Sequence, residues 1–379
     1  MSALRVVMVQ GAAERAGAEV VLLGRATNLR RFGVEPIVAF LADGPFVEEA
    51  RAHDIDVEVL ADAPARVRHP WQVPGQVRAL ARFAHARGAD IIEGCGEKMS
   101  IWSGHASRMA GLASVFQLHD GPLRSGPTSV TQLAMAAAPR EVAVVPSRWM
   151  AAAFRRRLGL STVVVPNGLM LDSLPDGAVD VRSEFGWSPQ HTVIAMPGRL
   201  ESWKGHHVFL RAAATVARRD PSARFLIVGG ALYGRDRAYA DRLPRLAAEL
   251  GIAHATVFTG HRTDALQLMA DADVVCHCST APEPFGMVLI EAMALRTAVI
   301  ATRGGGPDEI VDDGHTGLLV DPGDHEQLAA AMTRVLADDG VRSRMIDAAE
   351  RRVRESYSAE AMARSMAAVY RRAVEAQAA

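Results

Sequence analysis

Short apolar runs rich in β-branched residues alternate along the chain with segments whose apolar residues recur at a helical period. Strand-length apolar runs separated by helices are typical of parallel sheets that are covered on both faces. The chain carries two such series, which predict an α/β fold of two Rossmann-like domains. The first series has predicted strands at 6–9, 35–40, 57–60, 91–93, 115–118, 142–145 and 163–165, and the second at 193–196, 225–228, 257–259, 274–277, 298–301 and 317–320.

The apolar pattern weakens over residues 167–190, which are punctuated by glycine and proline and are typical of a link between domains. We therefore predict an N-terminal domain over 1–185 and a C-terminal domain over 186–357. The last segment, 358–379, has no following strand and carries an apolar helical face, so we predict a helix that packs back on the N-terminal domain. The residues of that face are Met362, Met366, Val369 and Tyr370.

Composition narrows the class of function. The 379 residues carry a formal net charge of -1 and are 49% hydrophobic, which suits a large globular core. No concentrated positive field is present, so we expect no nucleic-acid partner. Three cysteines, Cys95, Cys276 and Cys278, are too few for a disulfide framework, and the last two are predicted to be small core residues. With no leader-like or membrane-spanning run, we expect a cytoplasmic protein.

A basic helix is predicted around Arg155-Arg156-Arg157, with Met150, Phe154 and Leu158 on its apolar face. Such a helix can lie on an anionic membrane. A solvated charged face explains the same pattern and is favoured, so peripheral membrane contact is the weaker alternative.

The first loop that carries chemistry is Gly198–Gly205, between a predicted strand and a predicted helix. In open α/β sheets, loops at the carboxyl ends of strands bind ligands, and the N-terminus of the next helix favours anions. Arg199 can hold two phosphate oxygens at once, and Lys204 adds a compact point charge. Lys98 and Lys204 are the only lysines among 42 basic residues, which argues against the alternative of a surface loop with two ordinary cations.

The second such loop, Pro282–Met293, also joins a predicted strand to a predicted helix. Gly286 near the helix start lets a ligand approach exposed backbone amides. Glu283 and Glu291 are too far apart in the chain to form one hydrogen-bonded pair, but they could bind different parts of an elongated ligand. A carboxylate that binds vicinal hydroxyls is typical of ribose recognition. Glu291 is alternatively a solvated helix residue.

Three weaker signals accompany these loops. Gly304-Gly305-Gly306 follows the strand at 298–301 and is either a ligand-facing turn or a purely structural one. Ala16-Gly17-Ala18-Glu19 opens a helix as a phosphate-facing turn or a simple connection, and it lacks the nicotinamide fingerprint. His119, which precedes Asp120-Gly121-Pro122 at the end of a strand, is either a donor to a sugar hydroxyl or phosphate oxygen or a structural histidine.

Taken together, these residues resemble the family 4 glycosyltransferases, which have the GT-B fold. The resemblance implies two Rossmann-like parallel-sheet domains with an interdomain cleft, the donor on the second domain and the acceptor on the first. Val165-Pro166-Asn167-Gly168 looks like the family's interdomain link. The matching blocks, in the expected order, are Gly198-Arg199 with Lys204-Gly205, Glu283-Pro284-Phe285-Gly286 with Glu291-Ala292-Met293-Ala294, Gly305–Val311, and Gly314–Val320.

The resemblance implies a retaining transfer of a hexose-type sugar from a UDP- or GDP-sugar to a hydroxyl acceptor, without a metal or another cofactor. In that reading, Arg199 and Lys204 neutralise the diphosphate, and His119 reaches the sugar and phosphate from the other domain. Glu283 holds the sugar hydroxyls, and Glu291 holds the ribose. The remaining donor-binding positions are Gly17 and Gly198, His261 near the base, the backbone of Phe285, Gly286 and Met287 at the sugar, and the amides of Val288 and Leu289 at the phosphates.

The chain departs from the family pattern at two positions. Arg296 stands where the family usually has glycine, so we expect the helix before it to end differently. Ala16 stands where a second glycine is common in the first loop, which changes how closely a ligand approaches there.

Two Asp-x-Asp pairs, Asp54-Ile55-Asp56 and Asp271-Ala272-Asp273, are the candidates for a metal site. The first precedes a strand of the N-terminal domain, and the second caps the strand at 274–277 at its amino end, away from the ligand edge. We therefore predict no metal ligand in either pair and assign the leaving-group charge to Arg199 and Lys204.

Other functions explain less of the chain. A nucleotide-sugar epimerase shares the fold and stays as an alternative, and a glycogen-type phosphorylase would need a pyridoxal-phosphate lysine. A glycosidase would need two carboxylates that flank one bond, and no such pair stands out. The non-enzymatic alternative is a two-lobed sugar-binding protein.

Overall fold

The computed structural model describes residues 3–11, 13–14, 17–60, 73–119, 129–175, 177–231 and 236–379. The chain divides into two units: unit 1 is Met1–Met170 with Ser356–Ala379, and unit 2 is Leu171–Glu355. Each predicted strand is present, and its ends differ from the predicted ones by no more than two residues. The fold is therefore α/β, with one parallel sheet in each unit.

Unit 1 has a seven-stranded parallel sheet in the order β3-β2-β1-β4-β5-β6-β7. Its strands are β1 Leu4–Gln10, β2 Val34–Phe40, β3 Asp56–Val59, β4 Ile91–Cys95, β5 Ala113–Gln117, β6 Val142–Val145 and β7 Val163–Val164. Its helices before residue 170 are α1 Gly17–Leu29, α2 Pro45–Ala52, α3 Val73–Ala86, α4 Glu97–Ala110, α5 Val130–Ala137 and α6 Arg148–Leu158. The five inner strands are almost wholly buried because helices cover both faces, whereas the edge strands β3 and β7 are partly exposed.

Unit 2 has a six-stranded parallel sheet in the order β10-β9-β8-β11-β12-β13. Its helices are α7 Val181–Glu184, α8 His206–Arg219, α9 Arg237–Glu249, α10 Ala265–Ala270, α11 Met287–Ala294, α12 Pro307–Ile310, α13 His325–Ala337 and α14 Asp339–Ser356. Its strands are β8 Thr192–Pro197, β9 Ala223–Val228, β10 Thr256–Phe258, β11 Val274–His277, β12 Ala298–Thr302 and β13 Leu318–Val320. The strand order reverses between β8 and β11, the point at which such sheets bind ligands.

The last helix, α15 Ala359–Ala378, lies in unit 1 and packs against α1, β4 and β5. Its four predicted apolar residues are all buried. Just before it, the chain pairs with the end of the first segment of unit 1, where Leu169 N donates to Tyr357 O at 2.8 Å and Ala359 N donates to Leu169 O at 2.9 Å. A Cβ on Gly168 would lie 2.4 Å from the Ser358 carbonyl oxygen, so only glycine fits at this crossing.

The boundary between the units lies earlier than the predicted position at residue 185. Helix α7 belongs to unit 2 because Val181 N donates to Asp271 Oδ2 at 3.1 Å and Arg182 binds both Asp271 and Asp273. These contacts span about ninety positions of sequence, and no spacing pattern along the chain announces them. Glycine and proline indicate that a link lies in this part of the chain, whereas the contacts of Val181 and Arg182 determine that α7 belongs to unit 2.

Candidate functional site

The strand order of unit 2 places the loops after β8 and β11 side by side. Gly205, at the end of the β8 loop, has φ of +79°, and a Cβ there would lie 1.9 Å from the Cys278 carbonyl oxygen. Only glycine permits this approach of one backbone to the other. Thr280 N then donates to Trp203 O at 2.7 Å. The two loops that the sequence singled out are thus joined directly.

Lys204 and Glu283 meet where these loops join. Lys204 Nζ donates to Glu283 Oε2 at 2.6 Å, and the two side chains are 19% and 11% exposed. The same carboxylate oxygen lies 3.2 Å from His277 Nε2 and accepts from Ser279 Oγ at 3.1 Å. We call these four residues the loop cluster. It is a nearly buried carboxylate with a cation at its rim.

Burial alone would raise the pKa of Glu283. The charges of Lys204 and His277 and the hydrogen bonds from both residues together outweigh burial, so the pKa of Glu283 lies well below its usual range. The carboxylate is therefore ionised at neutral pH. In that state its oxygens only accept hydrogen bonds, so they can bind groups that carry O–H or N–H donors.

The glycine run Gly304–Gly306 packs against the backbone of the loop that carries Glu283. Glu283 N donates to Gly304 O at 3.1 Å, and Gly306 N donates to Glu283 O at 2.8 Å. A Cβ on Gly305 would lie 2.0 Å from the Glu283 carbonyl oxygen, and one on Gly306 would lie 2.1 Å from the Phe285 carbonyl oxygen. Close backbone packing therefore requires glycine at 305 and 306, which supports the structural interpretation of this run.

Arg199 and Gly198 lie at the other end of the β8 loop. Gly198 has φ of +147°, and its N–H donates to Val228 O at 2.9 Å. Arg199 Nη1 donates to Glu201 Oε1 at 2.9 Å, and its side chain is 40% exposed. Arg199 and Lys204 are therefore both fixed by carboxylates, and both retain contact with solvent.

Helix α11 begins at Met287 after Gly286, which has φ of +106° and so takes a conformation that favours glycine. Leu289 N donates to Gly286 O at 3.0 Å, which engages the amide assigned to the phosphates. The amides of Met287 and Val288 come first in the helix, where no intrahelical acceptor exists. The helix start thus presents the amides of these two residues.

Three further donor-site candidates belong to unit 2. Phe285 is buried, at 4% exposure. Glu291 is the fifth residue of α11 and is partly buried. His261 is exposed in the loop after β10, and its backbone N lies 3.3 Å from where a Cβ on Gly230 would stand. Phe285 and His261 lie on loops that follow strands, and Glu291 lies in the second turn of α11.

In unit 1, His119 lies two residues beyond the end of β5 and is partly buried. Burial, together with the charge of Arg25, lowers the pKa of His119 to about 4, so its imidazole is neutral at pH 7. Gly17 is the exposed first residue of α1. Two residues on from it, the buried Glu19 accepts from Gln10 Nε2 at 2.6 Å. Ala16 and the segment Asp120-Gly121-Pro122 lie outside the described residues.

Both Asp-x-Asp pairs are held by arginines. Arg30 binds Asp54 at 3.1 Å, and Arg87 binds Asp56. Arg182 binds Asp271 at 3.1 Å and Asp273 at 2.7 Å, and Asp273 Oδ2 also accepts from Val193 N at 2.8 Å. The second pair therefore fastens α7 and β8 at the amino end of β11, where it was expected.

Four residues of this region were not predicted as site residues: Glu201, Trp203, His277 and Ser279. His277 ends β11 and Ser279 follows two residues later, so their position at the carboxyl end of a strand was the available signal. Glu201 and Trp203 lie within the quoted β8 loop, between the two cations. Along the part of the chain that the structure describes, no helix is long and apolar enough to cross a membrane.

Two family models match the chain. The one described as "Glycosyltransferase Family 4" matches residues 15–173, and the one described as "Glycosyl transferases group 1" matches residues 180–352. The first match covers most of the segment of unit 1 that ends at Met170 and extends three residues past it. The second match lies wholly within unit 2. The two matches follow one another along the chain without overlap.

Curated relatives have similar sequences over part of their length. A D-inositol 3-phosphate glycosyltransferase of Corynebacterium urealyticum is 40% identical over 196 residues, which is 51% of this chain and 46% of the relative. The lipopolysaccharide core biosynthesis glycosyltransferase LpsE of Rhizobium meliloti is 32% identical over 185 residues, 49% of this chain and 51% of LpsE. These matches span about half the length of the curated relatives.

A solved structure is similar over nearly the whole chain. HepE of Anabaena, crystallised in complex with UDP-glucose, has a TM-score of 0.83 and 27% identity, over 97% of this chain and 98% of HepE. A second crystal structure of HepE contains UDP and glucose, with a TM-score of 0.83 and 26% identity.

Proposed function

This chain belongs to the family 4 glycosyltransferases, which have the GT-B fold, and from that premise we propose that it moves a hexose-type sugar from a nucleoside diphosphate sugar to a hydroxyl acceptor. The observation that carries the proposal is the loop cluster at the strand-order reversal of unit 2, with Arg199 on the same loop as Lys204. A position at this reversal is where parallel sheets bind nucleotides. That HepE was crystallised with UDP-glucose supports a UDP-sugar as the first donor to test.

In the proposed reaction, the bond between the anomeric carbon and the phosphate oxygen breaks, and its electron pair leaves with the diphosphate. A bond forms between the anomeric carbon and the acceptor oxygen, whose proton leaves to a phosphate oxygen. Negative charge therefore develops on the distal phosphate. Arg199 and Lys204 are proposed to meet that charge, because fixed cations aimed at a developing charge need no reorganisation during the reaction. The proposed reaction needs no metal and retains the anomeric configuration.

The other residues of unit 2 take the binding roles. Glu283, held ionised, is proposed to accept hydrogen bonds from sugar hydroxyls. The amides of Met287 and Val288 are proposed to approach the phosphates at the start of α11. Glu291 would bind the ribose hydroxyls, and the exposed His261 would lie near the base.

His119 is the candidate from unit 1. Its neutral imidazole can donate one hydrogen bond and accept another, so we propose that it contacts a sugar hydroxyl or phosphate oxygen of the donor. Because its pKa is about 4, its protonation should stay constant across neutral pH. A neutral role of this kind predicts no titration of activity near pH 6.5 that depends on His119.

The test measures the binding of nucleotides and their release from sugar donors. The protein is first screened by thermal shift with UDP and GDP, since a ligand at 100 times its Kd stabilises the folded state by about 2.7 kcal/mol. UDP- and GDP-sugars are then supplied with and without EDTA, and free UDP or GDP is measured. Arg199→Ala should reduce release about 100- to 1000-fold. Arg156→Ala, which removes an exposed arginine of α6, is the matched control.

The outcomes separate the parts of the proposal. No stabilisation by any nucleotide and no release would overturn the transferase itself. Binding of a sugar without nucleotide would favour the two-lobed sugar-binding alternative. Release that stops in EDTA and returns with magnesium or manganese would overturn the metal-independent mechanism. A changed sugar without net nucleotide release would favour the epimerase.

A further inference from the structure

Glu201 lies between the two cations that the proposed function uses, and its side chain is only 10% exposed. Its two carboxylate oxygens serve different partners. Oε1 accepts from Arg199 Nη1 at 2.9 Å, and Oε2 accepts from Trp203 Nε1 at 2.6 Å. A buried carboxylate with both oxygens engaged is fixed in place, and it fixes its partners in turn.

Trp203 makes three contacts of different kinds. Its indole N–H donates to Glu201, and its carbonyl oxygen accepts from Thr280 N at 2.7 Å and from Thr280 Oγ1 at 3.2 Å. Its ring faces Lys204, whose Nζ lies 4.1 Å from the ring centroid. A cation at this distance from an indole is attracted by the negative face of the ring. Trp203 is therefore held at both ends and faces the lysine.

These contacts connect Arg199, Glu201, Trp203, Lys204 and Glu283 in a single series. Arg199 is balanced by Glu201, and Lys204 is balanced by Glu283 and by the indole ring. Arginine and lysine side chains have many rotamers, and a catalytic cation works only if it is in place when the charge develops. The series supplies that placement from two side chains that touch no phosphate in the proposed reaction.

We propose that Glu201 and Trp203 are positioning residues: Glu201 orients Arg199 directly and Lys204 through the indole of Trp203. This inference rests on the proposed roles of Arg199 and Lys204 in meeting the leaving diphosphate. The segment between Arg199 and Lys204 thereby has the function of positioning these two cations. A merely structural role would instead make the two residues contribute to folding alone.

The decisive experiment is a pair of double-mutant cycles on nucleotide release by the full chain, with kcat and KM measured separately. Glu201→Gln keeps the size of the side chain, but an amide offers only one acceptor oxygen for two donors. We expect kcat to fall about 10- to 100-fold, because a misplaced group costs that much in rate. In the Arg199→Ala background the same change should lower kcat no more than about threefold, because coupled residues are not additive.

The second cycle separates the ring of Trp203 from its N–H. Trp203→Phe keeps an aromatic face below Lys204 and loses the donor to Glu201, whereas Trp203→Leu loses both. The leucine variant should lose more turnover than the phenylalanine variant, and most of that difference should vanish in the Lys204→Ala background. Glu249→Gln on the exposed surface of α9 and Trp187→Leu before β8 are the matched controls, with circular dichroism as the check of folding.

Each outcome has one meaning. Coupled losses in both cycles support the positioning of the cations. A Glu201→Gln enzyme within twofold of wild type, or a loss of equal size with and without Arg199, would overturn it and leave the proposed function intact. A wild-type protein that binds neither UDP nor GDP and releases neither from a donor would overturn both proposals together.

Discussion

Each unit buries a cation against a glutamate, but the two pairs are built from different parts of the fold. In unit 1, Arg25 of α1 binds Glu93 of β4, and Tyr370 of α15 donates to the same glutamate at 2.6 Å. We call these three residues the helix cluster. The side chains of Arg25 and Glu93 are 1% and 0% exposed. In unit 2, Lys204 and Glu283 lie on loops and keep more of their surface in solvent.

The difference shows what each pair can do. The members of the helix cluster come from the middle of regular elements, so no ligand can replace any of them without opening the core. Burial would lower the pKa of Arg25, but the charge and hydrogen bond of Glu93, together with the charges of Tyr370 and Cys95, outweigh burial, and the pKa is raised. The guanidinium therefore stays charged and depends on its partner. The loop cluster has a rim open to solvent, so a ligand can reach its cation without opening the core.

The largest expected effect tests the structural half of this comparison. Glu93→Gln leaves a fully buried arginine without its counter-ion, which should lower the free energy of unfolding by about 3–5 kcal/mol. Glu35→Gln is the matched control, because Glu35 pairs with Arg30 on the surface at 3.1 Å and should contribute less than about 1 kcal/mol. Urea titrations of the three proteins give the measurement. A loss below 1 kcal/mol for Glu93→Gln would show that Arg25 does not depend on this glutamate.

The functional half predicts the opposite balance. Lys204→Ala should lower turnover about 100- to 1000-fold, with a smaller loss of stability than Glu93→Gln. Glu283 keeps the hydrogen bonds from His277 and Ser279 and a path to solvent, so it is not stranded. Lys204→Arg should also impair turnover, because a planar fork does not replace a point charge.

Lys98→Ala is the control for Lys204→Ala. Lys98 is the other lysine of the chain and lies over the ring of Trp102 in unit 1, with Nζ 4.9 Å from the ring centroid. Nucleotide release without added acceptor should be unchanged in this variant. If Lys204→Ala mainly unfolds the protein while turnover per folded molecule survives, the loop cluster is structural and the comparison fails.

Sequence reasoning found the fold because apolar runs report burial directly. All thirteen strands of the described residues were predicted, and the loops after β8 and β11 were identified by their residues and by their place after strands. The rule that loops at the carboxyl ends of parallel strands bind ligands marked both loops as candidate sites. That Lys204 and Glu283 touch, across 79 positions of sequence, required the strand order.

The helix cluster was missed for a physical reason. Glu93 was the last residue of a predicted strand, and a buried charge needs a partner. Nothing in the sequence says which of 40 arginines that partner is, because the pairing with Arg25 spans 68 positions and depends on how α1 packs on the sheet. Tyr370 was predicted only as an apolar position of the last helix, since periodicity reports burial and not the direction of a hydroxyl. Short-range spacing along the chain therefore identified the ligand-facing loops, but it did not identify hydrogen-bond and ion-pair partners that are distant in sequence.

Acid should sharpen the comparison through His206, which is fully buried at the start of α8. Burial, with the charges of Lys204 and His207, lowers the pKa of His206 from 6.5 to about 3. Between these values the unfolded chain binds a proton that the folded protein does not, so stability is lost as the pH falls below 6.5. The expected contribution of this group is about 1.4 kcal/mol per pH unit between pH 6 and pH 4.

The measurement is the pH dependence of the urea midpoint in wild type and in His206→Asn, with the exposed His105→Asn as control. The variant is compared by its slope against pH, so a constant change of stability does not matter. As the pH falls, the stability of wild type and of His105→Asn should decrease with the same slope. The slope of His206→Asn should be shallower. Parallel curves for all three proteins would show that His206 is free to take up a proton in the folded state.

The smallest expected effect concerns a charged residue whose backbone conformation matters more than its partners. Arg296 follows α11 with φ of +60°, where the family usually has glycine, and its side chain binds Asp347 at 2.7 Å and also Glu350. Both Arg296→Gly and Arg296→Ala lose these exposed ion pairs, but only glycine relieves the left-handed backbone, which costs other residues about 1–2 kcal/mol. The glycine variant should therefore be more stable than the alanine variant by about 1 kcal/mol.

Arg351, an exposed position inside α14, is the control. There the order should reverse, because glycine in a helix is about 1 kcal/mol worse than alanine. Urea midpoints of the four variants decide the matter, and an alanine variant at 296 as stable as the glycine variant would show that the helix end carries no strain.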